Sequence, residues 1–160
     1  PSWPWLRNTQ RLAQRSVFAT QMVVTSDLGL RHDVHPPYKR PVGERLAQSM
    51  LRHTYGRSTA PVSPEVGLQS SVKDDRVELD LREAQGLHGS DGQPLRGFEI
   101  AGDDELFYPA TVQLDAEGKV LLHSPEVAKP CYVRYGWQPF PTCNVVNAAG
   151  LPLGTFRIRL

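Results

Sequence analysis

From Ser58 to Leu160, short runs of alternating apolar and polar residues are broken by Gly, Pro, Asp and Ser, and this alternation constrains the fold more than any other feature. In Arg76-Val77-Glu78-Leu79-Asp80-Leu81 every second residue is apolar, so an extended backbone puts Val77, Leu79 and Leu81 on one face and the charges on the other. Gly97-Phe98-Glu99-Ile100-Ala101 and Ala110-Thr111-Val112-Gln113-Leu114 repeat the pattern. So do the stretches at Gly118–His123, Tyr132–Tyr135 and Phe156–Leu160. Ser90-Asp91-Gly92 and Asp103-Asp104 mark turns between them. The 14 prolines and 13 glycines suit such a loop-rich chain better than a helical bundle. Together these features predict an antiparallel β-sandwich.

The preceding residues follow a different period. Ser2 is positioned to cap a helix with Pro4 in its first turn, where a missing N–H costs little. Trp5, Leu6, Thr9, Leu12 and Ala13 share one face of that helix, which is expected to be its buried face. Gln21-Met22-Val23-Val24-Thr25 is short, apolar and β-branched, and reads as a buried strand. A second helix is expected from near Pro41, with Val42, Leu46, Ala47, Met50, Leu51 and Tyr55 at helical spacing and Gly56 as its stop. Helix, buried strand, loop and helix form the edge of an α/β layered domain. The chain therefore divides into residues 1–57, the C-terminal portion of such a domain, and residues 58–160, the sandwich, with Arg57-Ser58-Thr59-Ala60-Pro61-Val62-Ser63-Pro64 as linker. The other strands of the first domain are expected upstream or in a partner chain, and a start without Met reads as a fragment or processed chain.

A formal net charge of +1 provides no basic field to attract nucleic acid. No apolar run approaches membrane-spanning length, and the first residues lack the charged and apolar regions of a signal peptide. Cys131 and Cys143 are compatible with a bridge closing a short loop or with two free, partly buried thiols. Neither belongs to a C-x-x-C pair, so they do not form a zinc pattern.

The densest chemistry lies between Thr25 and Ala47. Asp33 and His35 stand two apart, followed by Pro36, Pro37 and Lys39, on the loop after the expected strand. Catalytic residues of open α/β sheets collect at such strand ends. A histidine there can act as general base near neutral pH, and a neighbouring carboxylate fixes its tautomer and favours the imidazolium. The prolines stiffen the loop. By itself Asp-x-His is a weak signal that reads first as a solvated polar loop, and His32, Asp33 and His35 also offer three potential metal ligands.

The wider pattern is more specific. A run ending Thr25-Ser26-Asp27-Leu28-Gly29, then Asp33-Val34-His35-Pro36, then Lys39, then Gly43-Glu44-Arg45-Leu46-Ala47 resembles the last catalytic block of the sialate O-acetylesterase family, within the SGNH group of serine hydrolases. Trp3-Pro4 with Leu6-Arg7 and Gln10 is similar to that family's W-P-x-L-R-x-x-Q helix. The stretches Pro94–Gly102, Phe107–Ala110, Val133–Trp137 and Asn144–Pro152 resemble its later strands and C-terminal end. The resemblance implies that His35 is the catalytic base and Asp33 its carboxylate, with Asp27 the alternative acid or a loop-holding residue bonded to backbone N–H groups. Lys39 would be a loop anchor and Arg45 a helix surface charge. The family's nucleophilic serine and oxyanion donors belong to blocks not seen here, and none of the serines sits in a Gly-flanked strand-to-helix turn.

The chain would thus supply base and acid for deacetylating an O-acetylated sugar or glycan, while a companion chain or upstream segment supplies the serine. No metal or organic cofactor is implied, and the setting would be secreted, periplasmic or lysosomal. Two other readings stand beside this one. The sandwich is a non-catalytic carbohydrate-binding module, with Tyr132, Tyr135, Trp137 and Phe140 stacking on sugars, or a scaffold that buttresses a hydrolase through Trp137 and Tyr108.

Overall fold

The computed structural model describes residues 2–33, 35 and 37–160. Two helices, α1 (Trp3–Ser16) and α2 (Arg40–His53), precede twelve short strands among the described residues. These are β1 (Glu65–Val66), β2 (Ser71–Lys73), β3 (Arg76–Leu79), β4 (Leu81–Arg82), β5 (His88–Gly89) and β6 (Phe98–Ala101). They continue with β7 (Phe107–Pro109), β8 (Thr111–Leu114), β9 (Val120–His123), β10 (Tyr132–Tyr135), β11 (Val145–Val146) and β12 (Phe156–Arg159).

The strands form two four-stranded antiparallel sheets, ordered β2-β3-β9-β8 and β12-β10-β6-β7, with the small ladders β1-β4 and β11-β5 beside them. Register follows the alternation. Val77 faces Leu122 and Leu79 faces Val120 in one sheet, while Phe98, Tyr135 and Phe156 lie abreast in the other. These side chains are essentially inaccessible and form one core with Ile100 and Val133. Each large apolar side chain sealed in this way contributes about 1.5–3 kcal/mol. Phe98 and Tyr135 ring centroids lie 4.6 Å apart, and the Tyr135 hydroxyl accepts the Val145 N–H at 3.2 Å, so the buried phenol is satisfied. Gly97, at φ +104°, turns the chain into β6 where a Cβ would stand 2.5 Å from Cys143 Cβ. Cys131 and Cys143 are both free thiols, and burial pushes the Cys143 thiol up.

The chain is thus mostly antiparallel β with two helices. The predicted sandwich strands form, trimmed at their ends, and a break at Asp80 divides the first into β3 and β4. The region before the sandwich departs from expectation in two ways. Gln21–Thr25 pairs in no β-ladder among the described residues, and only Val24 of the run is buried. The expected apolar face of α1 points outward, with Trp5, Leu6 and Leu12 each roughly half exposed, while Pro4, Asn8 and Arg11 are buried.

The inversion of α1 has a structural cause. β12 is an edge strand, and its outer backbone groups need partners. Asn8 Oδ1 accepts the Arg157 N–H at 3.1 Å, and Arg11 Nη2 donates to the Arg157 carbonyl at 3.4 Å. Arg11 Nε also donates to Asn8 Oδ1 at 3.1 Å. Desolvation of Arg11, aided by Arg15 nearby, brings its pKa down to about 10. Arg7 adds a fork, donating to Thr155 Oγ1 at 2.8 Å, the Gly136 carbonyl at 3.0 Å and the Gln138 carbonyl at 2.6 Å. A polar stripe therefore closes the sheet edge, and the apolar stripe is left outside. In α2 the buried residue is Ser49, while Leu46 and Met50 are about half exposed.

Candidate functional site

The loop between Thr25 and α2 carries the candidate acid and base. Leu30 and Asp33 form an isolated antiparallel bridge that folds it back on itself. Asp33 Oδ1 accepts the His35 backbone N–H at 2.8 Å and lies 3.4 Å from His35 Nδ1. The pair is therefore preassembled by an Asx-type turn, with the ring nitrogen at ion-pair distance, beyond a good hydrogen bond. Both side chains are open to solvent, His35 87% and Asp33 52% exposed. Water screens such a pair, and tighter coupling requires a wall that excludes it. Val34 and Pro36 lie outside the described residues, so the stiffening expected from Pro36 does too. Lys39 is the N-cap residue of α2. Its carbonyl accepts the Gly43 N–H at 3.1 Å, and its side chain makes no cap hydrogen bond.

Asp27 and Arg45 take other roles than expected. Among the described residues no backbone N–H group donates to Asp27. Instead Arg45 Nη1 and Nη2 donate to its two carboxylate oxygens, each at 2.6 Å. Arg45 is not a surface charge, since its side chain is only 11% exposed and Nη1 also donates to the Val24 carbonyl at 2.7 Å. One guanidinium thus joins the Gln21–Thr25 run, the loop and α2. With both Asp27 oxygens engaged by Arg45, the carboxylate beside His35 is that of Asp33.

Next to the loop lies a groove of about 590 Å³ between the start of α1, residues 22–33 and Pro139–Pro141. Asp33 is among its lining residues, and the Arg31 guanidinium sits 4.9 Å above the Phe140 ring centroid. His32, Asp33 and His35 do not converge as ligands, and among the described residues no group of three or more His, Cys, Asp or Glu side chains is arranged to hold a metal. No helix among the described residues is long and apolar enough to cross a membrane.

The aromatic residues considered for sugar stacking are already engaged. Tyr135 is sealed in the core, and Trp137 packs edge-on against Trp5 at 5.1 Å. Arg157 and Arg159 lie over Tyr132 at 5.3 and 5.6 Å, and Tyr108 leans on the core cluster. A second His–Asp pair escaped sequence reading because its members are 48 residues apart. His123 Nε2 lies 3.1 Å from Asp75 Oδ2 at the sheet containing β9. The Arg45 fork escaped it as well, since an arginine on a helix carries no sign of a partner 18 residues away.

The described residues thus form a β-sandwich with two attached helices and an open Asp–His loop. Compared with family models and with curated proteins, the chain matches none. Among solved structures it is similar to a carbohydrate acetylesterase from Xanthomonas citri, with a TM-score of 0.88 and 35% sequence identity. The likeness covers 98% of this chain and 36% of that one, so the chain spans little more than a third of the length of the structure it matches.

Proposed function

We propose that this chain is the acid- and base-bearing part of a serine-dependent carbohydrate O-acetylesterase. The likeness to the Xanthomonas citri acetylesterase over nearly the whole chain, at 35% identity, carries the reading. The Asp33–His35 pair on the loop before α2 supports it. In this reading residues 1–57 belong to an α/β/α hydrolase unit of SGNH type and residues 58–160 are its accessory sandwich. The serine and the oxyanion donors come from another segment or a companion chain. The substrate is an O-acetylated sugar, sialic acid or a related glycan.

The chemistry is acyl transfer. His35 accepts the serine proton as the serine oxygen attacks the acetyl carbonyl carbon, and Asp33 orients the imidazolium that forms. Donors outside this chain stabilise the oxyanion. Collapse of the tetrahedral adduct breaks the ester bond, and His35 returns the proton to the leaving sugar oxygen. Water then attacks the acyl-serine with His35 again as base, and acetate leaves. Without the nucleophile, most of the rate is lost.

Acetate release from an O-acetylated sugar tests this. The isolated chain should be inactive, and supplying the serine-bearing segment should restore turnover. No turnover with a folded, complete assembly would count against the esterase reading.

A further inference from the structure

The loop that carries Asp33 and His35 is held at its two ends. Its start is tied to α2 by the Arg45–Asp27 fork, and its end runs into α2 at Lys39. Between them, the hydrogen bonds of residues 28–38 among the described residues are local. The Leu28 N–H donates to the Thr25 carbonyl, the His35 N–H to Asp33 Oδ1 and the Lys39 N–H to the Pro37 carbonyl. The Leu30–Asp33 bridge puts Arg31 and His32 at the tip of a tight turn. From that tip the Arg31 side chain crosses to the sandwich, its guanidinium 4.9 Å from the Phe140 ring centroid and within cation–π reach. Phe140 stands on a stiff base. Pro139 and Pro141 flank it. Arg7 of α1 donates to the carbonyls of Gly136, Gln138 and Pro139 and to Thr155 Oγ1, and the Gly136 N–H donates to the Gly97 carbonyl at 3.0 Å.

We propose that Phe140 of the sandwich is a positioning residue for acetyl transfer: acting through Arg31, it props the tip of the Asp33–His35 loop and so sets where the base meets the nucleophile. The catalytic role rests on the esterase reading. The internal geometry of the pair is local, because the Asx-type turn at Asp33 joins it to His35. Its placement relative to the rest of the protein is not local, and the contact with Phe140 supplies that placement from a loop fastened to both α1 and the sandwich. A base displaced by about 1 Å loses up to about 100-fold in rate, so a weak contact far from the bond being broken carries weight. The sandwich then serves the reaction itself. One rival reading is that Arg31 and Phe140 touch the sugar, since both line the same groove as Asp33.

Two measurements test this. The first uses the complete assembly with two substrates, an O-acetylated sugar and 4-nitrophenyl acetate, which carries no sugar. In Phe140→Ala and in Arg31→Ala, kcat should fall by about 10-fold or more on both substrates with the sugar KM unchanged. The double variant should lose little more than either single one, because both remove the same contact. Phe140→Trp keeps a ring face and should restore the rate, whereas Phe140→Leu keeps bulk without a ring face and should not. A raised sugar KM with full turnover of 4-nitrophenyl acetate overturns positioning and makes the two residues sugar contacts. Full activity of both single variants on both substrates, or rescue by Phe140→Leu, also overturns it. The second measurement uses the chain alone. Phe140 lies outside the core cluster, so Phe140→Ala should melt with the wild type while the Leu28 and His35 amides exchange about 10-fold faster. Unchanged exchange overturns the prop. Faster exchange in the variant, together with a folded wild-type assembly that releases no acetate, upholds the prop and overturns the esterase reading instead.

Discussion

Arg45 and Asp27 form a two-pronged ion pair, with both N···O distances at 2.6 Å and the guanidinium almost fully covered. The third bond of this arginine, to the Val24 carbonyl, fixes the run of residues 21–25 to α2. Removing the arginine leaves a carboxylate and a carbonyl without their donor. Arg45→Ala should therefore lower stability by about 2–3 kcal/mol in urea unfolding. Arg45→Lys should recover only part of that loss, because an ammonium cannot supply the planar fork.

The inverted orientation of α1 makes opposite predictions for two leucines. Leu122 is sealed between the sheets, and Leu12 on α1 is about half exposed. Leu122→Ala should cost about 2–5 kcal/mol. Leu12→Ala should change the stability of the isolated chain by no more than about 0.5 kcal/mol. Equal losses in denaturant melts would mean that the apolar face of α1 is buried after all.

Asn8 serves the edge of β12, accepting from both the Arg157 N–H and Arg11 Nε. Asn8→Ala leaves a covered backbone donor unpaired. The expected cost is about 1–3 kcal/mol, accompanied by faster exchange of the Arg157 amide. Asn8→Asp keeps an acceptor in place and should restore much of the protection.

Asp91 gives the sandwich an acid-sensitive element. Arg96 first, and then Asn144, hold its carboxyl well below the usual carboxylate range. The unfolded chain binds this proton more tightly than the folded one, so the contribution of Asp91 is fully present above its unfolded value of about 3.9 and is lost as pH falls through the folded value. Urea midpoints of the wild type should drop more steeply than those of Asp91→Asn below about pH 4. Parallel curves would remove Asp91 from the acid response.

The sandwich was legible because alternation records burial directly. Val77, Leu79, Val120, Leu122 and Ile100 all face inward as their period requires. Strands of two or three residues, such as β1, β5 and β11, are too short to show a period and form only because neighbours supply their ladders. The α1 period revealed a helix with two distinct faces but not which one the sandwich would take. Asn8 and Arg11 win that face because an edge strand needs polar partners more than it needs apolar cover. Gln21–Thr25 reads as a strand by composition, but a strand exists only in a ladder, and composition cannot show whether a second strand is present. At the site, the Asp33–His35 contact follows from spacing two apart, whereas the Arg45 fork depends on a turn of the chain that no local pattern records.

The central claim is that His35 is the base of an acetyl-transfer site completed by a second polypeptide segment. The most direct measurement is acetate release from an O-acetylated sugar by the complete assembly, wild type against His35→Ala, with thermal unfolding of both followed in parallel. Because His35 is a solvent-exposed loop residue, the two proteins should melt together. Turnover should fall by about 10³-fold or more in the variant. Undiminished acetate release from a folded His35→Ala assembly would contradict the claim.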